Sequence, residues 1–176
     1  MKQEIVWGLA LLLALVAGGI DWKTRRIPNW LTVSGFIAGF VTNTVAWGWP
    51  GSKAALLGAG LGLLVLLPFV WVRSLGAGDW KLVGALGAIV GPAALLDILV
   101  TTIIVAGVMA VILIVWKRRV GQTLRNLRSM LVAMMSLHVP PADVSLDNPQ
   151  ALKVPFGVAV AVAVVLLTAR QAWGVV

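Results

Sequence analysis

Two aspartates stand out among the side chains of this sequence that can carry charge or chemistry. The chain has 176 residues, with six acidic residues, one histidine and no cysteine. Thiolate nucleophiles, thiolate metal sites and multi-histidine metal centres built from one chain are therefore excluded. Asp21 ends one long apolar stretch and Asp79 begins another. An ionisable group at the edge of an apolar span is costly unless it is paired, hydrated or functional.

The remaining acidic residues and the histidine have simpler interpretations. Glu4 lies at the start of the first apolar stretch, and Asp143 and Asp147 lie in a polar loop. Asp97 falls near the start of another apolar stretch, where we expect it to cap a helix. His138 has no obvious acidic neighbour and is interpreted as a surface residue.

Position alone leaves ordinary roles open for the two aspartates as well. Asp21 could pair with Lys23 or Arg25, and Asp79 could cap the helix that it begins. If the two carboxyl groups meet, they cannot both ionise readily and they share a proton. The ionised group then acts as a general base on water, while the neutral one polarises a carbonyl and protonates the leaving group. Coupled groups titrate jointly, so either aspartate could be the base.

Each aspartate lies in a distinctive local sequence. Residues 21–29 read DWKTRRIPN, and residues 76–82 read GAGDWKL. We expect Gly76 and Gly78 to permit backbone conformations barred to other residues and to leave room for a substrate near the aspartate. We expect Pro28 to stop the preceding helix and to help begin the next one.

Several roles are open for the polar residues of these motifs. Arg26 and Lys81 could tune the ionisation of the aspartate pair, bind lipid phosphate or attract a substrate carboxylate. Asn29 could bind loop backbone or substrate, and helix capping is the favoured role. Lys23 and Arg25 are interpreted as charges that hold this side of the protein in the cytoplasm.

The composition identifies the setting of these motifs as a membrane. The chain is 60% hydrophobic and 11% charged, with a mean hydropathy of +1.00, whereas about a quarter of residues are charged in a typical soluble domain. A spanning helix needs about 20 mostly apolar residues. We predict an all-α, polytopic membrane protein with a single membrane-embedded domain over residues 1–176. Its six transmembrane helices are predicted at residues 5–20, 31–47, 54–72, 79–90, 94–116 and 154–173.

The distribution of basic residues predicts the orientation. With the N-terminus outside, the outer side keeps only Lys2, Lys53 and Arg170 of the fourteen lysines and arginines. This asymmetry predicts a multi-pass protein of the cytoplasmic (inner) membrane with both aspartates on the cytoplasmic side. We therefore attribute the net charge of +8 to loops that face anionic lipid, and we expect no nucleic-acid partner. The basic cluster directly after the first apolar stretch argues that this stretch is a retained helix and not a cleaved signal peptide.

The longest predicted connection, residues 117–153, contains an amphipathic segment. Residues 119–138 carry basic side chains together with apolar side chains that recur mostly every three or four positions. This pattern predicts a helix that lies on the cytoplasmic interface between the fifth and sixth spans. The tryptophans other than Trp7 lie near predicted helix ends, as expected for side chains at a membrane interface.

The two motifs resemble the signatures of the type IV prepilin peptidase family, which belongs to the GxGD class of intramembrane aspartyl proteases. One signature is an aspartate at the end of the first helix, followed by basic residues and Ile-Pro-Asn. The other is Gly-x-Gly-Asp-x-Lys at the start of the fourth helix. The Pro-Phe-Gly of residues 155–157 is a weaker third resemblance. Both motifs occur in the same order as in the family. Together with the six predicted spans, they extend the resemblance over nearly the whole chain.

The resemblance implies an aspartyl endopeptidase that needs neither a metal nor another cofactor. Asp21 and Asp79 would be its catalytic residues. The supporting or substrate-binding residues would be Gly76, Gly78, Lys81, Arg26, Pro28 and Asn29. The implied partners are type IV prepilins, pseudopilins or archaellins. Their short basic leader is removed at the cytoplasmic face, just before the hydrophobic helix.

The resemblance also suggests which branch of the family is closest. Larger members carry a cytoplasmic insertion between the first two spans, often with paired cysteines, that is associated with methylating the new N-terminus. Here only residues 21–30 separate the predicted spans, and cysteine is absent. We therefore predict peptidase activity without methyltransferase activity or an S-adenosylmethionine site. The short form resembles peptidases of tight-adherence (Flp) pilus systems or archaeal preflagellin peptidases, and the 117–153 connection slightly favours the former.

A non-enzymatic membrane protein is the alternative hypothesis. In a transporter subunit or assembly factor, Asp21 and Asp79 would relay ions. Such a path needs a further ionisable residue deep within a span. Apart from Asp79 itself, the acidic residue within the six apolar stretches is Asp97, which lies near the outer end of the fifth.

Overall fold

The computed structural model describes residues 2–71, 74–117 and 154–173, together with the single positions 121, 125 and 132. The regular structure of this part of the chain is α-helical, which confirms the all-α prediction. The helices are α1 (Lys2–Thr24), α2 (Asn29–Trp71), α3 (Ala77–Trp116) and α4 (Phe156–Ala172).

The helices have the length and composition of membrane segments. Three of them, α1, α2 and α3, are long and apolar enough to cross a bilayer, while α4 is shorter, with 17 residues. Their outer faces carry many exposed large apolar side chains, including Val45, Ile103 and Trp116. An apolar exterior of this extent needs a lipid or protein partner, so the prediction of a membrane protein is supported.

Helix α2 folds back on itself at Gly48. This glycine has φ 61° and ψ −141°, outside the helical region. Eight residues of straight helix advance about 12 Å, yet the hydroxyl oxygens of Thr44 and Ser52 are 2.8 Å apart. The chain therefore reverses, and α2 has two arms, residues 29–47 and 49–71. Pro50 lies in the first turn of the second arm, where a missing N–H costs little.

Helix α3 reverses at Gly91, which has φ 78° and ψ 175°. A Cβ on Gly62 would lie 3.0 Å from the Val83 side chain and 3.1 Å from that of Leu95. Twelve residues of straight helix would separate these two residues by about 18 Å. The two arms of α3 are therefore residues 77–90 and 92–116. The arms of α2 and α3 lie where the second to fifth apolar segments were predicted.

Asn43 connects the two folded helices next to the α3 reversal. Its buried Nδ2 donates hydrogen bonds to the carbonyl oxygens of Gly39 (3.0 Å), Ala88 (3.0 Å) and Ile89 (2.8 Å). In a regular helix the carbonyl of Ala88 would accept from residue 92, but Pro92 has no N–H. The Asn43 amide therefore satisfies a carbonyl that the proline leaves without a partner.

Glycines allow α2 and α3 to pack backbone against backbone. Gly58 and Gly87 face each other so closely that a Cβ on either would collide with the carbonyl of the other. Small residues at helix contacts permit this approach in membranes. The buried core draws on all four helices, with α1 packed against α4 and α3. Its largest fully buried apolar side chains are Leu82, Leu86, Ile89, Leu95, Ile98, Val83, Val160 and Val164.

Two further sequence predictions are not confirmed: one is wrong, and the other falls mostly outside the described residues. Asp97 is exposed and lies inside the second arm of α3, beyond its first turn, so the prediction that it caps a helix start is wrong. The predicted amphipathic helix at 119–138 lies outside the described residues except for positions 121, 125 and 132, and His138, Asp143 and Asp147 lie outside them altogether.

Candidate active site

Asp21 lies in the last turn of α1 and is held by the start of α4. Its side chain is buried, with 5% of its surface exposed. The backbone N–H of Gly157 donates a hydrogen bond of 2.9 Å to Asp21 Oδ2. The first N–H groups of a helix have no partner within the helix, and they favour a negative charge beside them. The carboxylate of Asp21 therefore serves as the cap that Pro155, at the N-cap of α4, cannot provide.

The end of α1 fixes the backbone around Asp21. Arg25 is in the left-handed region, with φ 54°, and its N–H donates to the Asp21 carbonyl oxygen at 2.9 Å. This is a helix-ending turn that glycine usually forms, and it costs a non-glycine residue about 1 kcal/mol. Thr24 supports the turn, because its hydroxyl contacts the carbonyl oxygens of Ile20 and Arg26 at 3.0 Å each. The Arg25 side chain lies near enough to Asp21 for their charges to interact.

Asp79 is the third residue of α3 and is half-buried. Its carboxyl group folds back and accepts a hydrogen bond from the N–H of Gly76, the N-cap residue of α3. An acidic side chain at this position commonly binds the N-cap amide. A Cβ on Gly76 would lie 2.9 Å from Asp79 Oδ2, so the glycine leaves room for the carboxylate. The helix-capping role considered for Asp79 is thus present, and the residue remains partly exposed.

The neighbouring Trp80 is fixed in place as well. Its indole N–H donates a hydrogen bond of 2.7 Å to the carbonyl oxygen of Leu63, on the second arm of α2. The ring is half-buried. Trp80 therefore anchors the start of α3 in addition to lying near a helix end.

Ile27 joins the elements that carry the two aspartates. It is buried, and a Cβ on Gly78 would lie 2.9 Å from its carbonyl oxygen. A Cβ on Gly157 would lie 3.2 Å from Ile27 Cδ1. The starts of α3 and α4 thus both pack against this residue. Asp21 and Asp79 come close enough for their charges to interact.

The glycines of the second motif act differently from the prediction. Gly76 has φ −70°, and among the described glycines only Gly48 and Gly91 have positive φ. The expectation that Gly76 and Gly78 need backbone conformations barred to other residues is therefore wrong. They matter because they lack a Cβ, which would crowd Asp79 in one case and Ile27 in the other.

Lys81 and Asn29 connect the two motifs at the edge of the site. Lys81 Nζ donates a hydrogen bond of 3.0 Å to Asn29 Oδ1, and both residues are exposed. The side-chain oxygen of Asn29 thus accepts from Lys81, and among the described residues no backbone N–H donates to it in support of the predicted capping role. Pro28 directly precedes α2, and its carbonyl oxygen accepts from the N–H of Leu31 at 3.2 Å. Arg26 is exposed and makes no hydrogen bond to either aspartate within the described residues.

The described residues offer general acid–base groups and no metal cluster. No group of three His, Cys, Asp or Glu side chains in this part of the chain could hold a metal ion. The structure brings Asp21, Asp79, Gly76 and Gly78 together around Ile27. Sequence reasoning did not assign roles to Ile27 or Gly157, although the Pro-Phe-Gly resemblance at the last helix was a signal for the latter.

A sequence model of the type IV leader peptidase family matches residues 8–115. The chain belongs to this family. The region that matches the type IV leader peptidase family contains both aspartates and ends before α4. Gly157, which binds Asp21, therefore lies beyond the matched region.

Curated relatives are similar to part of the chain. A prepilin leader peptidase/N-methyltransferase of Klebsiella pneumoniae is 38% identical over 95 residues, covering 49% of this chain and 41% of the relative. A protein of the same name from Burkholderia pseudomallei (strain 1026b) is 36% identical over 118 residues, covering 62% of this chain and 37% of the relative. The matched part of the chain thus spans about two fifths of these relatives. No solved structure matches the chain significantly.

Proposed function

We propose that this protein is a membrane aspartyl endopeptidase that removes the basic leader of type IV prepilin-like proteins. Asp21 and Asp79 are its catalytic residues. The observation that carries this proposal is the proximity of the two aspartates: each is held by a backbone N–H, and they lie near enough for their charges to interact. Membership of the type IV leader peptidase family supports the substrate class.

The arrangement is suited to activating a water molecule between two carboxyl groups. The pair holds one proton, because two adjacent carboxylates resist ionising together. The ionised member removes a proton from water, which attacks the scissile carbonyl carbon. The protonated member donates a hydrogen bond to the carbonyl oxygen and then a proton to the departing amine. The Gly157 and Gly76 amides hold the two carboxyl groups in position for these transfers.

The exposed polar residues around the pair form the entrance for substrate. Lys81 and Asn29 are joined to each other at this entrance, and Arg26 lies on the loop between them and Asp21. Because Gly76 lacks a Cβ, it leaves room for the Asp79 carboxyl group, and because Gly78 lacks one, the start of α3 packs closely against Ile27. We assign these residues and Pro28 to substrate binding or to support of the site.

The two ends of the helix bundle suggest its orientation in the cytoplasmic membrane. Lys2 Nζ donates to the carbonyl oxygen of Ala46, which places the start of α1 beside the α2 reversal. Asp21 and Asp79 lie at the opposite end. We assign α1, α4 and the arms of α2 and α3 to six spans, with the N-terminus outside and the aspartates on the cytoplasmic side. The shared core supports a single domain over residues 1–176.

We further propose that the protein has no N-methyltransferase activity. The names of the curated relatives state this activity for those proteins. Only residues 25–28 separate α1 from α2, which leaves no room there for an inserted domain. Cysteine is absent from the sequence.

The ion-relay alternative has less support. Among the described residues, the buried polar or charged side chains are Asp21, Thr32, Asn43, Ser52 and Thr102. Asp21 is thus the sole buried ionisable group in this part of the chain. Asp97 is exposed and does not extend a path inward from the aspartate pair.

The decisive experiment is co-expression with a type IV prepilin-like substrate. The unmodified chain is expected to trim the leader, whereas Asp21→Asn and Asp79→Asn should each slow trimming by about 10³-fold or more, because either loss removes the acid–base pair. Asp97→Asn is the matched control and should trim normally. Normal trimming by either site variant would refute the proposal. Methyl incorporation into the trimmed product, measured in the same cells, is expected to be absent.

A further inference from the structure

Trp80 directly follows Asp79, at a position that the Gly-x-Gly-Asp-x-Lys signature leaves unspecified. Its indole N–H donates a hydrogen bond of 2.7 Å to the carbonyl oxygen of Leu63, 17 positions earlier in the chain. The side chain is half-buried, whereas Trp116, at the end of α3, is 83% exposed. Trp80 therefore binds another helix of the protein and is more than a side chain at the membrane interface.

The face of α3 that carries Trp80 packs closely against the second arm of α2. Gly84 and Gly87 follow Trp80 by four and seven positions, so the three residues lie on one side of the helix. A Cβ on Gly84 would lie 2.9 Å from Leu63 Cδ2. One on Gly87 would collide with the carbonyl of Gly58. Leu63 is therefore held twice by α3, through its side chain at Gly84 and through its carbonyl oxygen by Trp80.

The Trp80 side chain also fixes the direction of its neighbour Asp79. Successive residues of a helix are rotated by about 100° around its axis, so any rotation of this turn moves both side chains together. The backbone N–H of Trp80 donates to the carbonyl oxygen of Gly76 at 3.1 Å, which closes the first turn of α3. Helix ends fray readily, and a hydrogen bond from this turn to α2 opposes both fraying and rotation.

We propose that Trp80 is a positioning residue for the aspartate pair, because its hydrogen bond to Leu63 holds the first turn of α3 where the Asp79 carboxyl group reaches Asp21. This role rests on the proposed peptidase function and adds to it a residue that the signature does not specify. Trp80 acts through Asp79 and not on the substrate. A displacement of about 1 Å in a catalytic group can cost about 100-fold in rate, so the bond matters to cleavage even where the fold persists without it.

Removing the indole N–H tests this role. Trp80→Phe keeps an aromatic ring without the donor, and benzothienylalanine at position 80 keeps the shape of tryptophan with sulfur in place of the N–H. We expect both variants to lower kcat about tenfold for a prepilin-like substrate in detergent, with little change in KM, because the acid–base pair is displaced and substrate binding is not. Trp116→Phe, at an exposed position of the same helix, is the control and should cleave normally.

The pH dependence of cleavage separates positioning from a merely structural role. Two carboxyl groups ionise in two steps that lie farther apart when the groups are closer, and these steps set the two limbs of the rate profile. Moving Asp79 away from Asp21 is therefore expected to bring the limbs together and to narrow the profile. Residues 154–169, which include the start of α4, carry no charge. The other charged groups on the two segments that carry the pair are unchanged in these variants: Lys23, Arg25, Arg26 and Lys81.

The two substitutions at Trp80 distinguish the possible outcomes. An unchanged rate in both would overturn the inference, and so would normal cleavage with benzothienylalanine alone, which would show that the ring matters and the hydrogen bond does not. Slower cleavage with unchanged limbs would also overturn it, because the pair would not have moved. A lack of cleavage by the unmodified chain would instead refute the proposed function.

Discussion

Gly157 contributes to the candidate site through both its amide and its missing side chain. The N–H binds Asp21 Oδ2 across 136 positions of sequence. A Cβ at this position would lie 2.9 Å from Asp21 Cβ and 3.1 Å from Oδ2. Since both distances are shorter than ordinary contacts, any larger residue must displace the carboxylate that the amide holds.

Gly157→Ala should therefore impair cleavage more than folding. Overpacking of this kind costs about 1–3 kcal/mol of stability. A displaced catalytic group can cost about 100-fold in rate, so we expect trimming to fall at least tenfold relative to the amount of folded protein. Trimming of a prepilin-like substrate and thermal unfolding in detergent measure the two effects. Gly107→Ala is the control, and an unchanged rate in folded Gly157→Ala would contradict the role assigned to this residue.

The sequence predicts the residues of the aspartate pair better than their supports. Asp21 and Asp79 stand out because their motifs are local and their charge is unusual in apolar surroundings. The Lys81–Asn29 hydrogen bond joins residues 52 positions apart, and the packing of Gly78 and Gly157 on Ile27 is also non-local. Such contacts depend on how helices dock, which no local pattern encodes.

At the scale of helices, glycine and proline mark the reversals. The pairs Gly48/Pro50 and Gly91/Pro92 interrupt apolar runs, which predicts a break in each place. Hydrophobic periodicity does not reveal that the arms then pack through glycines such as Gly58 and Gly87. Helix faces that meet protein and faces that meet lipid are equally apolar, so composition cannot distinguish them.

Two glycines of α2 provide a matched test of this packing. Gly58→Ala would drive a Cβ into the backbone of Gly87, which cannot rotate away, whereas Gly60→Ala meets no atom within 4 Å. We expect Gly58→Ala to lose about 3 kcal/mol of stability and Gly60→Ala to be neutral or to gain up to about 1 kcal/mol. Thermal or denaturant unfolding in detergent measures both. Equal stability of the two variants would show that the α2–α3 contact tolerates a methyl group.

At the scale of the molecule, the described helices have two distinct ends. Lys2, Ala46 and Lys53 mark one end, with Lys53 near the face of the Trp49 ring at 5.5 Å. Asp21 and Asp79 mark the other. The distribution of lysines and arginines predicts that the end with the aspartates faces the cytoplasm.

Because the natural chain has no cysteine, single cysteines can report this orientation directly. Lys53→Cys and Lys23→Cys replace exposed residues at opposite ends. A membrane-impermeant thiol reagent should label Lys53→Cys in intact cells and Lys23→Cys only after the membrane is opened. The unmodified chain should remain unlabelled in both conditions. The reverse pattern would place the aspartates outside and rule out cleavage at the cytoplasmic face.

The hydrogen bond between Asp21 and Gly157 also has a consequence for biosynthesis. A ribosome delivers Asp21 with the first helix and Asp79 with the third, but the amide that positions Asp21 arrives only with α4. A nascent chain in which both aspartates are already inserted therefore still lacks the Gly157 amide that holds the Asp21 carboxyl group. If the protein has the proposed peptidase function, cleavage is expected to begin only after α4 docks against α1, so the order of synthesis delays activity.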